Sequence, residues 1–339
     1  MISSEQQLED LLAEPSADDA RAMAEMNGDL VILGVGGKMG PSLARRARRA
    51  CELAKVAKRI TGVARFSEPG VRESLEGAGI ETVSADLLAP RALASLPDAP
   101  NVLYMAARKF GSTGAEHLTW AMNALLPALV AKRYPAARIV AFSTGNVYPL
   151  VSVAGGGATE DMLPVPVGEY AQSALARERI FEFFSRRNQT RMMMLRLNYA
   201  IDLRYGVLLD IGQKVFERRP VDVTMGHVNV IWQGEANAIA LRSFGLCQSP
   251  PAVLNVTGPE TVAVRWIAGE FGKRFGMEPI FQGTEAETAL LSNAARCQKL
   301  FGYPSVTVEQ MIEWVADWIR MGGVTLAKPT HFETRDGRF

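Results

Sequence analysis

Along the first two hundred positions, short apolar runs alternate with longer stretches in which apolar residues recur at helical spacing. The runs LVILGV, ITGVARF, ETVSA, NVLYMAA, RIVAFST and RMMMLRLN read as buried strands. Between them, helices are expected over residues 40 to 57, near 71 to 77, over 115 to 132 and over about 169 to 187. Strictly alternating strands and helices build a parallel sheet covered on both faces, so the chain is expected to be α/β, with six or seven strands in the sheet. Residues 1–28 precede this pattern as a helical extension of two short helices broken near Pro15, with Leu8, Leu11 and Leu12 on one face. Residues 29–200 form the main domain. Over residues 201–339 the order loosens, and Pro220, Pro251, Pro259 and Pro304 mark turns. That part is expected to be a smaller α/β substrate lobe, with some segments returning to the core.

Directly after the first strand comes GVGGKMG, residues 34–40, with Gly34, Gly37 and Gly40 in the spacing GxxGxxG and a helix behind it. Glycines there permit a tight turn, close approach of a pyrophosphate to the backbone, and tight helix-on-strand packing. The helix N-terminus faces the phosphate charge. Gly36, Lys38 and Met39 complete the loop. The pattern predicts a Rossmann-type, doubly wound domain that binds a nicotinamide dinucleotide. The second strand ends in Arg65, where a carboxylate would otherwise hold the adenosine ribose, and an arginine favours a 2′-phosphate. NADP is therefore expected, with NAD as the alternative. Asp86, followed by Leu87 at the end of the third strand, is placed either to bond the adenine amino group or to cap the next turn.

Charge adds exclusions. Lys plus Arg number 37 and Asp plus Glu 36, so no net field draws the chain to nucleic acid or an anionic membrane. The basic cluster Arg45, Arg46, Arg48 and Arg49 is expected to line a solvated helix face. Cys51, Cys247 and Cys297 are far apart in sequence, with no CxxC or Cys/His cluster, so neither a disulfide framework nor a metal site is expected. A reduced cytoplasm fits best, and no targeting or membrane segment is evident.

These motifs, across nearly the whole chain, resemble those of the extended short-chain dehydrogenases/reductases, in the NAD-dependent epimerase/dehydratase branch. GVGGKMG is similar to the family's nucleotide loop, SADLL to its adenine-contact segment, YMAA with Ala106 and Ala107 to its fourth strand over the cofactor, and Asn123 in TWAMNALLPAL to its helix asparagine. FSTGNVY resembles the strand-five motif, which implies a catalytic role for Thr144. EYAQSALARE aligns with the segment that holds the family's YxxxK pair: Tyr170 fits the tyrosine, and Ala174 stands at the lysine. LRLNY implies a substrate contact at Asn198. VNVIWQGEANAIA resembles the strand–helix junction, with Glu235 near the usual aspartate and Val228 where a diphosphate-binding arginine would stand. CQKLFGYPSVTVEQMIEWVADWI is similar to the C-terminal helix pair.

In the family's complete site, the tyrosine exchanges a proton with a substrate hydroxyl while hydride passes to or from the nicotinamide, and the lysine charge makes the phenol more acidic. Without that lysine, Tyr170 is expected to donate a hydrogen bond more readily than to act as base. Lys109, in AARKFGSTG after the fourth strand, is the cation expected to compensate. Further substrate contacts are expected among His117, Arg204, His227 and Trp232. Arg204 suits a carboxylate or phosphate, and Trp232 suits either the cleft or the core. The expected activity is an NAD(P)-dependent oxidoreductase or epimerase/dehydratase of a carbohydrate or sugar-derived acid, not a nucleotide-sugar. The alternative is a non-catalytic NAD(P)-binding redox sensor. The apolar helices near 115–132 and 169–187, with Trp120, Leu125, Leu129, Ile180, Phe181 and Phe184, predict a homodimer.

Overall fold

The computed structural model describes residues 2–109, 111, 114–328 and 330–338. Seven strands form one parallel sheet: β1 (Leu30–Leu33), β2 (Ile60–Ala64), β3 (Glu81–Ser84), β4 (Asn101–Tyr104), β5 (Arg138–Thr144), β6 (Met192–Leu197) and β7 (Ala252–Val256). Their spatial order is β7-β6-β5-β4-β1-β2-β3, with every pairing parallel. The order reverses between β1 and β4. A crevice opens at the carboxyl ends of strands at such a reversal, and ligands bind there.

The helices are α1 (Glu5–Leu12), α2 (Ala17–Glu25), α3 (Gly40–Leu53), α4 (Val71–Gly77), α5 (Glu116–Trp120), α6 (Leu126–Arg133), α7 (Gly168–Asn188), α8 (Val207–Phe216), α9 (Gln233–Arg242), α10 (Val264–Phe275), α11 (Ala295–Phe301) and α12 (Val308–Arg320). Both sheet faces are apolar, as the unbroken runs require. Leu30, Ile32, Leu103 and Leu195 pack with Leu43 and Ala47 of α3 and Ile239 of α9. Val31, Leu33, Tyr104 and Met194 face the other way, onto Leu126 and Val130 of α6 and Phe181 of α7. A third cluster joins α8, α10 and α12 to Leu8 and Leu12 of α1. Residues 233–256 run back onto the sheet, supplying α9 and its last strand.

The N-terminal helices lie against α3 and α9, and this overturns the expectation of a solvated arginine face. Arg46 is buried, donating to Asp19 Oδ2 from Nε at 2.9 Å and from a terminal nitrogen at 2.6 Å. Arg242 of α9 meets the other Asp19 oxygen at 2.8 Å. Burial opposes ionisation of Asp19, but the two guanidiniums outweigh it and hold the carboxyl below its ordinary value. Arg45 pairs with Glu9 at 2.8 Å and Arg49 with Asp10, leaving Arg48 on the surface with Glu52. Carboxylates contributed by α1 and α2 turned what looked like a solvent face into an interface.

At the other end, the chain after α12 returns across the lobe. Thr330 donates its backbone N–H to Asp210 at 3.0 Å, and Arg335 reaches the Thr288 carbonyl at 2.7 Å. Gly337 lies against Gly168, where a side chain on either residue would strike backbone at 2.2 Å. Of the apolar residues expected at a dimer face, Phe181 and Phe184 are core, whereas Trp120, Leu125 and the neighbouring Phe183 are exposed.

Candidate active site

The crevice between β1 and β4 is shaped by glycines that no other residue could replace. Gly34 has φ +90°, and a Cβ there would lie 2.7 Å from the Ala106 nitrogen after β4. A Cβ on Gly40 would lie 2.1 Å from the Val35 carbonyl oxygen, so glycine alone lets α3 start against the loop. Gly37 donates to the Gly34 carbonyl at 3.2 Å, and Gly36 sits against Ala64. A polyphosphate fits this cradle of backbone beside a helix N-terminus. Around it lie Arg65, exposed just beyond β2, and Ala107, also exposed, with Leu87 and Ala106 buried beside the crevice. Asp86 is exposed and accepts from the Leu88 N–H at 3.0 Å, one of the two roles expected of it.

Asn123 lies in a π-helical turn, Ala121–Leu125, where the backbone widens between α5 and α6. Its side chain is fully committed. Oδ1 accepts from the Arg108 N–H at 3.0 Å and from Arg177 at 2.7 Å, and Nδ2 donates to the Arg108 carbonyl at 2.9 Å and to Ser173 at 3.0 Å. It therefore clamps the peptide units flanking Arg108 to α7, which sets the start of the loop that carries Lys109.

Beyond the cradle is a cavity of about 170 Å³, bounded by the glycine loop, the end of β5, the segment after β6, and the returning C-terminal chain. Its walls include Lys38, Met39, Lys109, Thr144 and Asn198, which the sequence singled out, and Asn146, Tyr205 and Thr330, which it did not. Thr144 caps the turn after β5, accepting from the Asn146 N–H at 3.2 Å and standing 3.0 Å from Asn146 Oδ1. Asn198 donates to the Leu290 carbonyl at 3.3 Å. Tyr170 is 9% exposed and is not among the cavity's walls, though Lys109 Nζ lies 5.7 Å over its ring centroid. Two turns along α7, Glu178 forms a buried ion pair with Arg196 of β6 at 2.7 Å, fixing the helix that carries Tyr170 against the sheet.

Ala174, one turn after Tyr170, is wholly buried in a small apolar cluster with Val147, Tyr148 and Ala158. The cations at the cavity come from elsewhere. Lys38 Nζ donates to the Ala200 carbonyl at 3.0 Å and lies 4.2 Å over the Tyr205 ring. Burial pushes the Lys38 amine down to about 8, with Asp202 opposing the shift and Arg204 and Lys109 adding to it. Burial likewise pushes Lys109 down to about 8. Tyr205 is pushed above the ordinary phenol range, first by burial and then by Asp210 and Tyr170.

Four expected substrate residues, Arg204, His227, Trp232 and His117, are not among the cavity's walls. Arg204 is spent on Asp202 and Glu9, at 2.8 and 2.7 Å, joining α1 to the segment after β6. His227 lies on a two-residue strand paired with Val262–Ala263, and Trp232 is core, edge-on to Trp314 at 5.2 Å. Val228 is buried, and Glu235 caps the backbone at Val306, 3.2 Å away, and accepts from the Ser305 hydroxyl at 2.8 Å. His117 lies on α5.

Residues 30–200, just over half the chain, match the model of the NAD dependent epimerase/dehydratase family. The chain belongs to this family. No curated protein matches it. Among solved structures, it is similar to MoeE5 in complex with UDP-glucose and NAD, at 18% identity over 87% of this chain and 99% of that one, with TM-score 0.70. UDP-glucuronic acid 4-epimerase from Bacillus cereus, in complex with UDP-glucuronic acid and NAD, matches at 17% identity over 86% and 99%, TM-score 0.70. Epimerase Mth375 from Methanothermobacter thermautotrophicus matches at 15% over 90% and 96%, TM-score 0.72. At these identities the likeness shows the shared fold. The first two neighbours were captured with UDP-sugars and NAD, so they lend nothing to the expectation of a nucleotide-free substrate or of NADP. Among the described residues, no helix is long and apolar enough to cross a membrane.

Proposed function

We propose that this epimerase-family chain is an NAD(P)-dependent oxidoreductase or epimerase/dehydratase acting on a carbohydrate or sugar-derived acid. The observation that carries the reading is the convergence of Thr144, Asn198, Lys38 and Lys109 on one cavity beside the glycine cradle. Gly34, Gly36, Gly37 and Gly40 would hold the dinucleotide diphosphate, and Asp86, Leu87, Ala106 and Ala107 would flank its adenosine half. The bound cofactor supplies hydride transfer. Thr144 and Tyr170 would bond the reacting hydroxyl. Lys109, above the Tyr170 ring, would supply positive charge that Ala174 does not.

Arg65, exposed at the end of β2 and in no ion pair among the described residues, favours NADP over NAD. The 170 Å³ cavity is smaller than the roughly 300–1,000 Å³ of common ligand sites, which supports a compact substrate over a nucleotide-sugar. The apolar Trp120, Leu125 and Phe183 support a homodimer, and the three free cysteines support a reducing, cytoplasmic setting. The test is to mix the protein with NADP or NAD and a panel of sugars, sugar acids and UDP-sugars, following reduced-nicotinamide absorbance and, for redox-neutral reactions, product chromatography. Turnover of a compact sugar supports the reading. Tight cofactor binding with no turnover anywhere on the panel would replace it with the redox-sensor alternative.

A further inference from the structure

The described walls of the cavity come from the glycine loop, the loop after β4, the end of β5 and the segment from Leu197 to Val207, with one exception. Thr330 belongs to the chain that returns after α12, beyond every strand of the sheet. Its place on the wall therefore depends on what holds that returning chain. Asp210 of α8 does so: its Oδ2 accepts the Thr330 backbone N–H at 3.0 Å and the Thr330 hydroxyl as well, and Thr330 is buried. Because the backbone itself is bonded to a carboxylate, the main chain is fixed there and not merely a rotamer.

The residues that follow are tied down in turn. Phe332 is buried in the cluster that joins α8, α10 and α12. Glu333 meets Lys214 of α8 at 3.5 Å, and Arg335 donates to the Thr288 hydroxyl at 2.7 Å in addition to its carbonyl. Gly337, with φ +75°, ends the run against Gly168, with φ +83°, the first residue of the helix that carries Tyr170. The backbones pass so closely that neither position admits a side chain. The returning chain is thus a strap from the lobe to α7. Close-packed protein does not stretch continuously to suit a ligand, so a wall held at both ends limits what the cavity admits. The Thr330 hydroxyl proton is committed to Asp210, which makes this wall a steric stop before it is a bonding group.

We infer that residues 330–337 form a specificity-determining strap, in which Thr330 is the stop that admits a single sugar and excludes the same sugar carrying a nucleotide, and Asp210 is the positioning residue that sets it. This rests on the proposed carbohydrate activity and names what limits the substrate within it. The discrimination comes from a clash against the larger ligand, with no added attraction for the smaller one.

The experiment is calorimetric titration of the cofactor-loaded protein with D-galactose and D-glucuronate against UDP-galactose and UDP-glucuronate. The wild type is compared with Thr330→Gly, Asp210→Ala and Asp210→Asn, and a thermal midpoint confirms that each variant folds. The wild type is expected to bind a free sugar at least about tenfold more tightly than its UDP-linked counterpart. Thr330→Gly, which removes the stop, and Asp210→Ala, which releases it, should each cut that ratio by about tenfold. Asp210→Asn keeps an acceptor oxygen and should retain most of the ratio, a rescue that a general loosening of the lobe would not produce. A ratio unchanged in both Thr330→Gly and Asp210→Ala would overturn the inference. UDP-sugars bound by the wild type as tightly as free sugars would overturn it and leave the carbohydrate reading standing, whereas no sugar bound by any of the four proteins would overturn both.

Discussion

Replacing Lys109 by methionine removes a charge from the cavity wall while keeping an unbranched side chain of similar length. Its amine falls from an ordinary 10.5 to about 8 because the folded protein desolvates it. A displacement of that size corresponds to about 3 kcal/mol at 1.36 kcal/mol per pH unit. Part of the side chain faces the cavity and its water, so about half that is the better expectation. The sign follows from proton uptake. Below pH 8 both folded and unfolded chains carry the proton, and the folded state bears the full cost. Between pH 8 and 10.5 the unfolded chain holds more protons, so stability rises with pH. Lys109→Met should therefore stabilise the ligand-free protein by about 1.5 kcal/mol at pH 7, with the advantage shrinking as pH passes from 8 toward 10.5. Urea denaturation of wild type and variant at pH 7 and pH 10 measures both quantities, and the difference between the proteins cancels other titrations. A variant less stable than wild type at pH 7, or an advantage that does not shrink with pH, would refute the electrostatic picture.

Asp19→Asn should cost about 3–5 kcal/mol at neutral pH, because it leaves Arg46 and Arg242 without their buried counter-charge; the thermal midpoint reads the loss. The same carboxyl, held below its ordinary value, contributes stability that is present above the unfolded-state value near 4 and vanishes as pH falls through the folded value, so acid unfolding of the variant should start from a flatter baseline. Ala174→Lys recreates the family's YxxxK pair on paper, yet it drives an ammonium into the cluster of Val147, Tyr148 and Ala158; it should destabilise by more than about 2 kcal/mol and bring no gain in turnover. Arg65→Ala should weaken NADPH binding by about tenfold or more and leave NADH unchanged, as judged by cofactor fluorescence.

Local features of this chain were legible from the sequence because their causes are local. The β1–glycine loop–α3 unit follows from LVILGVGGKMG, and the structure adds the contact of Gly34 with Ala106 that explains the spacing. Thr144, Lys109 and Asn198 meet at one cavity because each stands at or beyond the carboxyl end of a sheet strand, a placement that topology alone dictates. Arg45, Arg46 and Arg49 were misread for the opposite reason: their partners Glu9, Asp19 and Asp10 lie more than two dozen residues earlier, on helices the basic fold does not require. Arg204 looked like a substrate ligand until α1 supplied Glu9. Thr330 and Tyr205 lie in stretches without periodicity or motif, and only the return of the C-terminal chain across the lobe brings Thr330 to the cavity.

In the proposed chemistry, Tyr170, with Lys109 over its ring, works on a carbohydrate although Ala174 holds the lysine position. Steady-state turnover of the best panel substrate by wild type and Tyr170→Phe, with cofactor affinity measured on both, tests it most directly. Tyr170→Phe should lower kcat by about 10²-fold or more, the usual size of a lost acid–base group, with cofactor affinity within about twofold. An unchanged kcat in Tyr170→Phe would contradict it.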